Sequence, residues 1–287
     1  MRALAAAAIT IGLLGAGVPS LAGTYTEVSI KDYVTPLEAE HKTEEEKKGL
    51  DIYKKQYLLD EGWKTLESRL EMILIDAVGR ESRRTVLKQM IEDRDRPDKT
   101  LGVFLEPADV RGTVMLTFEQ SYGSDEQWLF LPSLKRTKKI NAENKSGSFV
   151  GTEFSWEDIS TTELSKFHYR YLRDDADHWV IERTPVYKFS GYVREVTWVN
   201  KDNYQTVKID YYDKKGDVLK TQVMENWEQY EGRYWRPLRL LMDNHVNHKK
   251  TVINLTPYRV GIDVDPKKFS SLGLDQIRLS EFTASTK

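Results

Sequence analysis

Between Leu66 and Pro257 the sequence keeps returning to a period of two, and a chain patterned this way buries its apolar side chains as β-structure. Leu66, Ser68, Leu70, Met72 and Leu74 alternate with Glu67, Arg69, Glu71, Ile73 and Ile75, so one face is apolar and the other is charged early on. The turn Ala77-Val78-Gly79-Arg80 sends Arg83 to Glu92 back as a second strand, and Leu101 to Leu105 makes a third, closed by Pro107. Further strands are predicted over 113–119, 126–131, 134–140, 164–172, 178–186, 192–199, 204–212, 217–227, 234–242 and 249–257. Lys214-Lys215-Gly216-Asp217 and Glu231-Gly232-Arg233 are compact hairpin signals between them. Thirteen hairpin-linked strands imply one antiparallel sheet that curls, because a flat open sheet of that width is disfavoured.

One segment breaks the period. Thr43-Glu44-Glu45-Glu46 reads as a capping box, with Thr43 as N-cap and Glu46 at N3, and Leu50, Tyr53 and Tyr57 then recur at helical spacing. The helix is expected to end near Leu59, before Gly62, with its apolar stripe against a partner surface. No Pro/Gly/Ser linker and no internal repeat divides the chain, so residues 23–287 are predicted to form one α+β, mainly β domain.

The first residues read differently. Arg2 supplies a short positive region, Ala3 to Val18 are free of charge, and Pro19 precedes Ser20-Leu21-Ala22, which carries small residues where a signal peptidase needs them. Residues 1–22 are therefore expected to be a signal peptide removed after Ala22, with the mature protein exported. The chain has no cysteine, which excludes disulfides, thiolate zinc sites and a cysteine nucleophile. Export without disulfides suits a bacterial periplasmic chain that relies on its core, so the glycosylation patterns at Asn144 and Asn254 read as accidents. A net charge of −2 gives no basis for duplex binding, which needs a basic surplus against phosphates.

Catalytic signals are sparse. His245-x-x-His248 is the one close histidine pair, and on a strand its spacing puts the rings on opposite faces, so no metal is expected. Gly147-Ser148-Phe149-Val150-Gly151 has its serine one place too early for a nucleophile elbow. Asp174-Asp175-x-Asp177 and Glu157-Asp158 read as acidic pairs on solvated turns. Lys135-Arg136-Thr137-Lys138-Lys139 is a dense basic run, either a charged edge strand that resists pairing or a patch for head groups or a partner. The adjoining Gln127-Trp128-Leu129-Phe130-Leu131-Pro132 is apolar on both faces, so both must be covered or one must face a cavity.

The stretches Gly112-Thr113-Val114-Met115-Leu116, Gln127 to Arg136, and Ser148-Phe149-Val150-Gly151-Thr152-Glu153-Phe154-Ser155-Trp156-Glu157-Asp158-Ile159 resemble a family of bacterial exported proteins. They are similar to the signature of outer-membrane lipoprotein-sorting-like proteins, a branch of the LolA/LolB superfamily. This chain departs from the usual wording, close to QWLYLP…KR…FMGSDFSYEDL, at Phe130, Val150, Thr152, Glu153, Trp156 and Ile159. The likeness spans roughly residues 45 to 280. It implies a half-open β-barrel wrapped over helices, an apolar concavity that holds acyl chains, and association with RND/MMPL-type exporters.

Those expectations set the candidate residues. An acyl chain gains about 0.8 kcal/mol per buried methylene, so an apolar groove binds it without polar anchors. The inner face is expected to present Leu70, Met72 and Leu74, then Val114, Leu116 and Phe118, then Trp128 and Phe130, and finally Leu238, Leu240 and Met242. Each of these also suits a packed core, and for Trp128 and Phe130 that alternative would make truncation cost about 3–5 kcal/mol each. Lys135, Arg136, Lys138 and Lys139 are the candidate contacts to a head group or a partner. The expected function is a periplasmic, non-enzymatic carrier of lipids or lipoprotein acyl chains, with no cofactor. The alternative is an adaptor docking on an exporter through the basic run and the helix. An enzyme using Glu153, Glu157 or Asp158 ranks last.

Overall fold

In a computed structural model that describes residues 37–93, 98–121, 123–160 and 163–283, the alternating segments form one antiparallel sheet. Its strands are β1 (Thr65–Ile75), β2 (Glu81–Ile91), β3 (Lys99–Glu106), β4 (Val114–Phe118), β5 (Glu126–Leu131), β6 (Arg136–Ile140) and β7 (Phe167–Asp175). The second half adds β8 (His178–Pro185), β9 (Arg194–Asn200), β10 (Thr206–Tyr212), β11 (Val218–Tyr230), β12 (Tyr234–Asn244), β13 (Lys250–Leu255) and the short β14 (Arg259–Val260). All thirteen expected strands are present, and β14, which sequence periodicity does not show, pairs with the start of β1. The proposed signal peptide, its cleavage after Ala22 and the extended run to Pro36 lie outside the described residues.

The strand order is β6-β5-β4-β3-β2-β1-β13-β12-β11-β10-β9-β8-β7, so the sheet is two hairpin meanders joined where β1 pairs with β13. It does not close, and β6 and β7 are its two edges. The hairpin turns carry glycine where the backbone turns left-handed, at Gly79, Gly216 and Gly232.

Helix α1 (Glu44–Asp60) starts with the expected capping box: Thr43 Oγ1 accepts from the Glu46 amide and Glu46 returns to the Thr43 amide. Leu50 and Tyr53 of its apolar stripe are buried against Tyr169, Ile181 and Val199 on the concave face of β7–β9. Tyr53 also donates its hydroxyl to Thr197 at 2.7 Å. On the convex face, side chains from residues 262–282 cover β2–β5. Val264, Phe269, Leu274 and Phe282 of this aperiodic tail pack on Leu87, Leu101, Val103, Val114 and Leu116, with the rings of Trp128 and Phe130 against them. Among the described residues no helix is long and apolar enough to cross a membrane.

Gly49 sets the distance between α1 and β7. A Cβ there would lie 2.8 Å from the Tyr171 amide nitrogen and 3.1 Å from two Arg170 backbone atoms, which cannot swing away. Gly→Ala inside a helix ordinarily gains about 1 kcal/mol. Here Gly49→Ala is expected to lose about 1–3 kcal/mol by lifting the helix off the strand. Denaturant unfolding of the variant checks the sign, and a gain in stability would refute the close-approach account.

Candidate functional site

Because β6 and β7 are opposite edges, the chain between them must span the sheet, and residues 141–160 and 163–166 lie across its concave side. Phe149, Phe154 and Trp156 of this crossing segment are buried among Leu70, Met72, Val86, Phe104, Met115, Ile140, Tyr211, Met242 and Ile253. Polar ties fix it on both halves of the sheet. Gln127 Nε2 donates to the Trp156 carbonyl at 3.0 Å, and the Glu153 amide donates to Thr251 Oγ1 at 3.0 Å. Lys220 Nζ donates to Asp158 Oδ2 at 2.5 Å and to the Glu153 carbonyl at 3.0 Å. Tyr192 donates to Asp158 Oδ1, and Tyr187 and the Gly191 amide donate to the Glu157 carboxylate, each at 2.7 Å.

Glu157-Asp158 is therefore not a solvated turn. The side chains of Lys220 and Asp158 are 4% and 1% exposed, and their pairing is visible only in three dimensions because 62 residues separate them. Around Trp156 the chain makes a turn, in which the Ser155 amide donates to the Asp158 carboxylate and the Asp158 amide donates to the Ser155 hydroxyl. Asp174-Asp175-x-Asp177 does form a hairpin tip, whereas His245 and His248 lie in the β12–β13 turn rather than on a strand. His245 Nε2 is 2.8 Å from Thr221 Oγ1. Among the described residues no group of three or more His, Asp or Glu is placed to hold a metal.

A cavity of about 390 Å³ remains between the sheet, α1 and the crossing segment. The sheet contributes Leu66, Met90, Ile209, Met224 and Leu240, and the aromatic rings of Trp63, Trp227 and Trp235 flank them. Helix α1 contributes Tyr53, Gln56, Tyr57 and Asp60, and loops contribute Glu61, Asp98, Asp125, Glu157, Ser160 and Glu163. The concavity that the family resemblance implies is thus mixed rather than apolar, since strand residues Lys88, Arg183, Glu195 and Arg236 line it together with the polar helix and loop side chains. Most of its charges are paired. Arg183 Nε meets Glu195 Oε2 at 2.5 Å, Lys166 meets Asp125 at 2.5 Å, and Arg236 pairs with Asp60. Burial pushes the carboxyls of Glu157 and Glu163 up to about 7 and that of Asp98 up to about 8.

Of the candidate lining residues, Leu240 reaches this cavity. Leu70, Met72, Leu74 and Met242 share the concave face but pack under the crossing segment, which fills the space the sequence reading left for a ligand. Val114, Leu116, Phe118, Trp128 and Phe130 lie on the other face, under the C-terminal tail. Phe118 and Trp128 meet edge to face with centroids 5.0 Å apart. Leu238 is half-buried on β12 and outside the cavity wall. Lys135 caps a one-turn helix with φ 47°, and Arg136, Lys138 and Lys139 are exposed on edge strand β6, where Lys139 pairs with Glu126. The sequence reading missed Tyr57, Trp63, Lys88, Met90, Trp227 and Trp235 as lining. Lys88 was visible in principle, since period two sets it between Val86 and Met90 on the apolar face of β2.

Comparison with known proteins gives the same fold. A family model described as an uncharacterized protein matches residues 96–276. A Vibrio parahaemolyticus domain named for outer membrane lipoprotein sorting is 38% identical, with a TM-score of 0.78 over 80% of this chain and 99% of that one. A DUF1329 family protein from Desulfovibrio piger is 26% identical, with a TM-score of 0.75 over 81% of this chain and 100% of the other. A LolA superfamily protein from Nitrosomonas europaea, 20% identical, has a TM-score of 0.63 over 77% and 97% of the two chains, a likeness of fold. Among curated proteins, none matches.

The raised carboxyls make a signed prediction. A group whose value rises on folding holds its proton more tightly in the native chain, so stability falls as pH climbs from the ordinary carboxylate range to the raised value. Glu163→Gln mimics the protonated form. It is expected to match wild type at pH 5 and to exceed it by about 1–3 kcal/mol at pH 8. Comparing the two proteins cancels titrations that Glu163 does not influence, such as that of His41, whose value burial lowers. Thermal melts across this range check it, and a constant difference would count against the raised value.

Proposed function

Since the chain belongs to the family of the outer membrane lipoprotein-sorting domain, we propose that it is a periplasmic, non-enzymatic carrier that holds an amphipathic lipid or lipoprotein acyl chain in the cavity beneath α1. The cavity itself carries this reading. At about 390 Å³ it falls in the range of small-molecule sites, roughly 300–1,000 Å³, and its lining combines aliphatic and aromatic side chains with polar ones. A lipid has the same two-part character, with a tail that gains from leaving water and a head that needs polar partners. The acidic residues of the signature support binding rather than catalysis, since Glu153, Glu157 and Asp158 are engaged in holding the crossing segment. Export ahead of cleavage at Ala22 would place such a carrier between the two membranes.

A partner exporter is the second part of this proposal. Strand β6 ends the sheet and exposes Arg136 and Lys138, and Lys135 is exposed just before it. A terminal strand with cations suits docking on an acidic surface, although the same charges also deter pairing with another edge. Site-specific crosslinking from residues 135–139 in cells tests it, with capture of an inner-membrane transporter as the expected result and capture of lipid alone as the contrary one.

Filling the cavity tests the carrier itself. Met224→Trp and Leu240→Trp place a large ring where the wall is now aliphatic. Each is expected to weaken binding of a fluorescent long-chain probe by about tenfold or more, about 1.4 kcal/mol, with the melting temperature nearly unchanged. Absence of probe binding by delipidated wild type, together with absence of co-purifying lipid, would sink the carrier reading.

A further inference from the structure

Lys88 lies at the middle of β2, where the register pairs it with Ser68 on β1 and Gly102 on β3. These small neighbours leave the lysine side chain free to extend into the cavity, which it lines. It is half-buried, and it lines the cavity. Among the described residues no hydrogen bond or ion pair reaches its amine. Every other cavity cation is engaged: Arg183 with Glu195, Lys166 and Lys145 with Asp125, and Arg236 with Asp60.

The surroundings do not neutralise it. Burial is the main influence on Lys88 and lowers its affinity for a proton, Arg236 acts in the same direction, and Glu119 opposes them. Of the other cavity acids, Asp98 is raised to about 8 and is mostly protonated at neutral pH, while Glu163, raised to about 7, is about half protonated there. A half-buried ammonium without a hydrogen-bonded counter-ion gains from an anion placed beside it. A carboxylate or phosphate in the cavity would supply that partner, and lysine serves such groups as a point charge.

We propose that Lys88 anchors the anionic head, carboxylate or phosphate, of an amphipathic ligand whose tail lies along Leu66, Met90, Met224 and Leu240. This rests on the carrier reading and specifies its ligand class. The tail then occupies the aliphatic wall while the head replaces the missing counter-ion of the amine.

The test compares palmitic acid, hexadecyl phosphate and methyl palmitate binding to delipidated wild type, Lys88→Met and Lys88→Gln, by displacement of a fluorescent probe. Wild type is expected to bind at least one anionic ligand tenfold or more tighter than the ester, and whichever is preferred identifies the head. Both variants should lose that preference while binding the ester as wild type does. Lys88→Met should also melt at or above wild type when ligand-free, because it removes an uncompensated charge. Retained anion preference in the variants, no preference in wild type, or a large loss of stability in Lys88→Met would each overturn the assignment and leave the carrier intact. Failure of all three ligands to bind wild type overturns the carrier and the anchor together.

Discussion

The pairing of β1 with β13 governs the rest of the molecule. Six registered residue pairs from Leu70↔Leu255 to Ile75↔Lys250 join two meanders side by side. That join leaves β6 and β7 at opposite margins, although they are neighbours in sequence apart from the crossing segment. Connections ordinarily join elements that lie close together. Here the crossing segment must span the sheet, and residues 141–160 lie where burial is available, on the concave side. Phe149, Phe154 and Trp156 are thus the core that the open barrel would otherwise lack.

A segment laid over a sheet from edge to edge has few backbone partners, so its position depends on side chains. The Lys220–Asp158 pair, with Tyr192 and the Glu153 carbonyl sharing its donors and acceptors, satisfies the charges that burial would otherwise leave bare. Losing one partner of such a pair costs about 3–5 kcal/mol, since the other stays buried and uncompensated. The network specifies the location of the crossing segment more than it adds net stability. Its location in turn defines the cavity, because the segment fills the concavity above Met72 and Met242 and leaves the space near Leu66, Met90 and Leu240 open.

The strands were legible because period two is local: Leu70, Met72 and Leu74 share a face whatever surrounds them. The capping box at Thr43 and Glu46 was legible for the same reason. What covers each face was not. Trp128 and Phe130 plainly share one side, but only the fold shows that Phe269, Leu274 and Phe282 lie over it, from a tail with no periodicity to read. Glu157 and Asp158 looked solvated because their partners Tyr187, Tyr192 and Lys220 are distant in sequence. Lys88 is the opposite case. Its place on an apolar face was written in the alternation, and the signal was passed over because a single inward charge breaks an otherwise regular pattern.

Separate clusters carry the fold, and the cavity lies where they meet. Leu50, Tyr53 and Tyr169 hold α1 on one end of the sheet, the crossing segment packs on Phe104 and Met115 toward the other, and the C-terminal tail covers the convex face. Several clusters lend residues to the cavity wall: Tyr53 and Phe167 from the one under α1, Ile209 and Tyr211 from the one under the crossing segment, and Trp63 and Leu66 from a third. Proteins can tolerate an unpaired charge or protonated buried acids when the surrounding structure determines their positions. Lys88, Glu163 and Asp98 are held in this way, by strands and loops whose stability comes from elsewhere. A carrier has a particular use for that division. Its binding site must exist empty, with a polarity that favours the cargo over water, and it must give the cargo up without unfolding. A cavity walled by independently packed elements satisfies both requirements, whereas one closed by its ligand would satisfy neither.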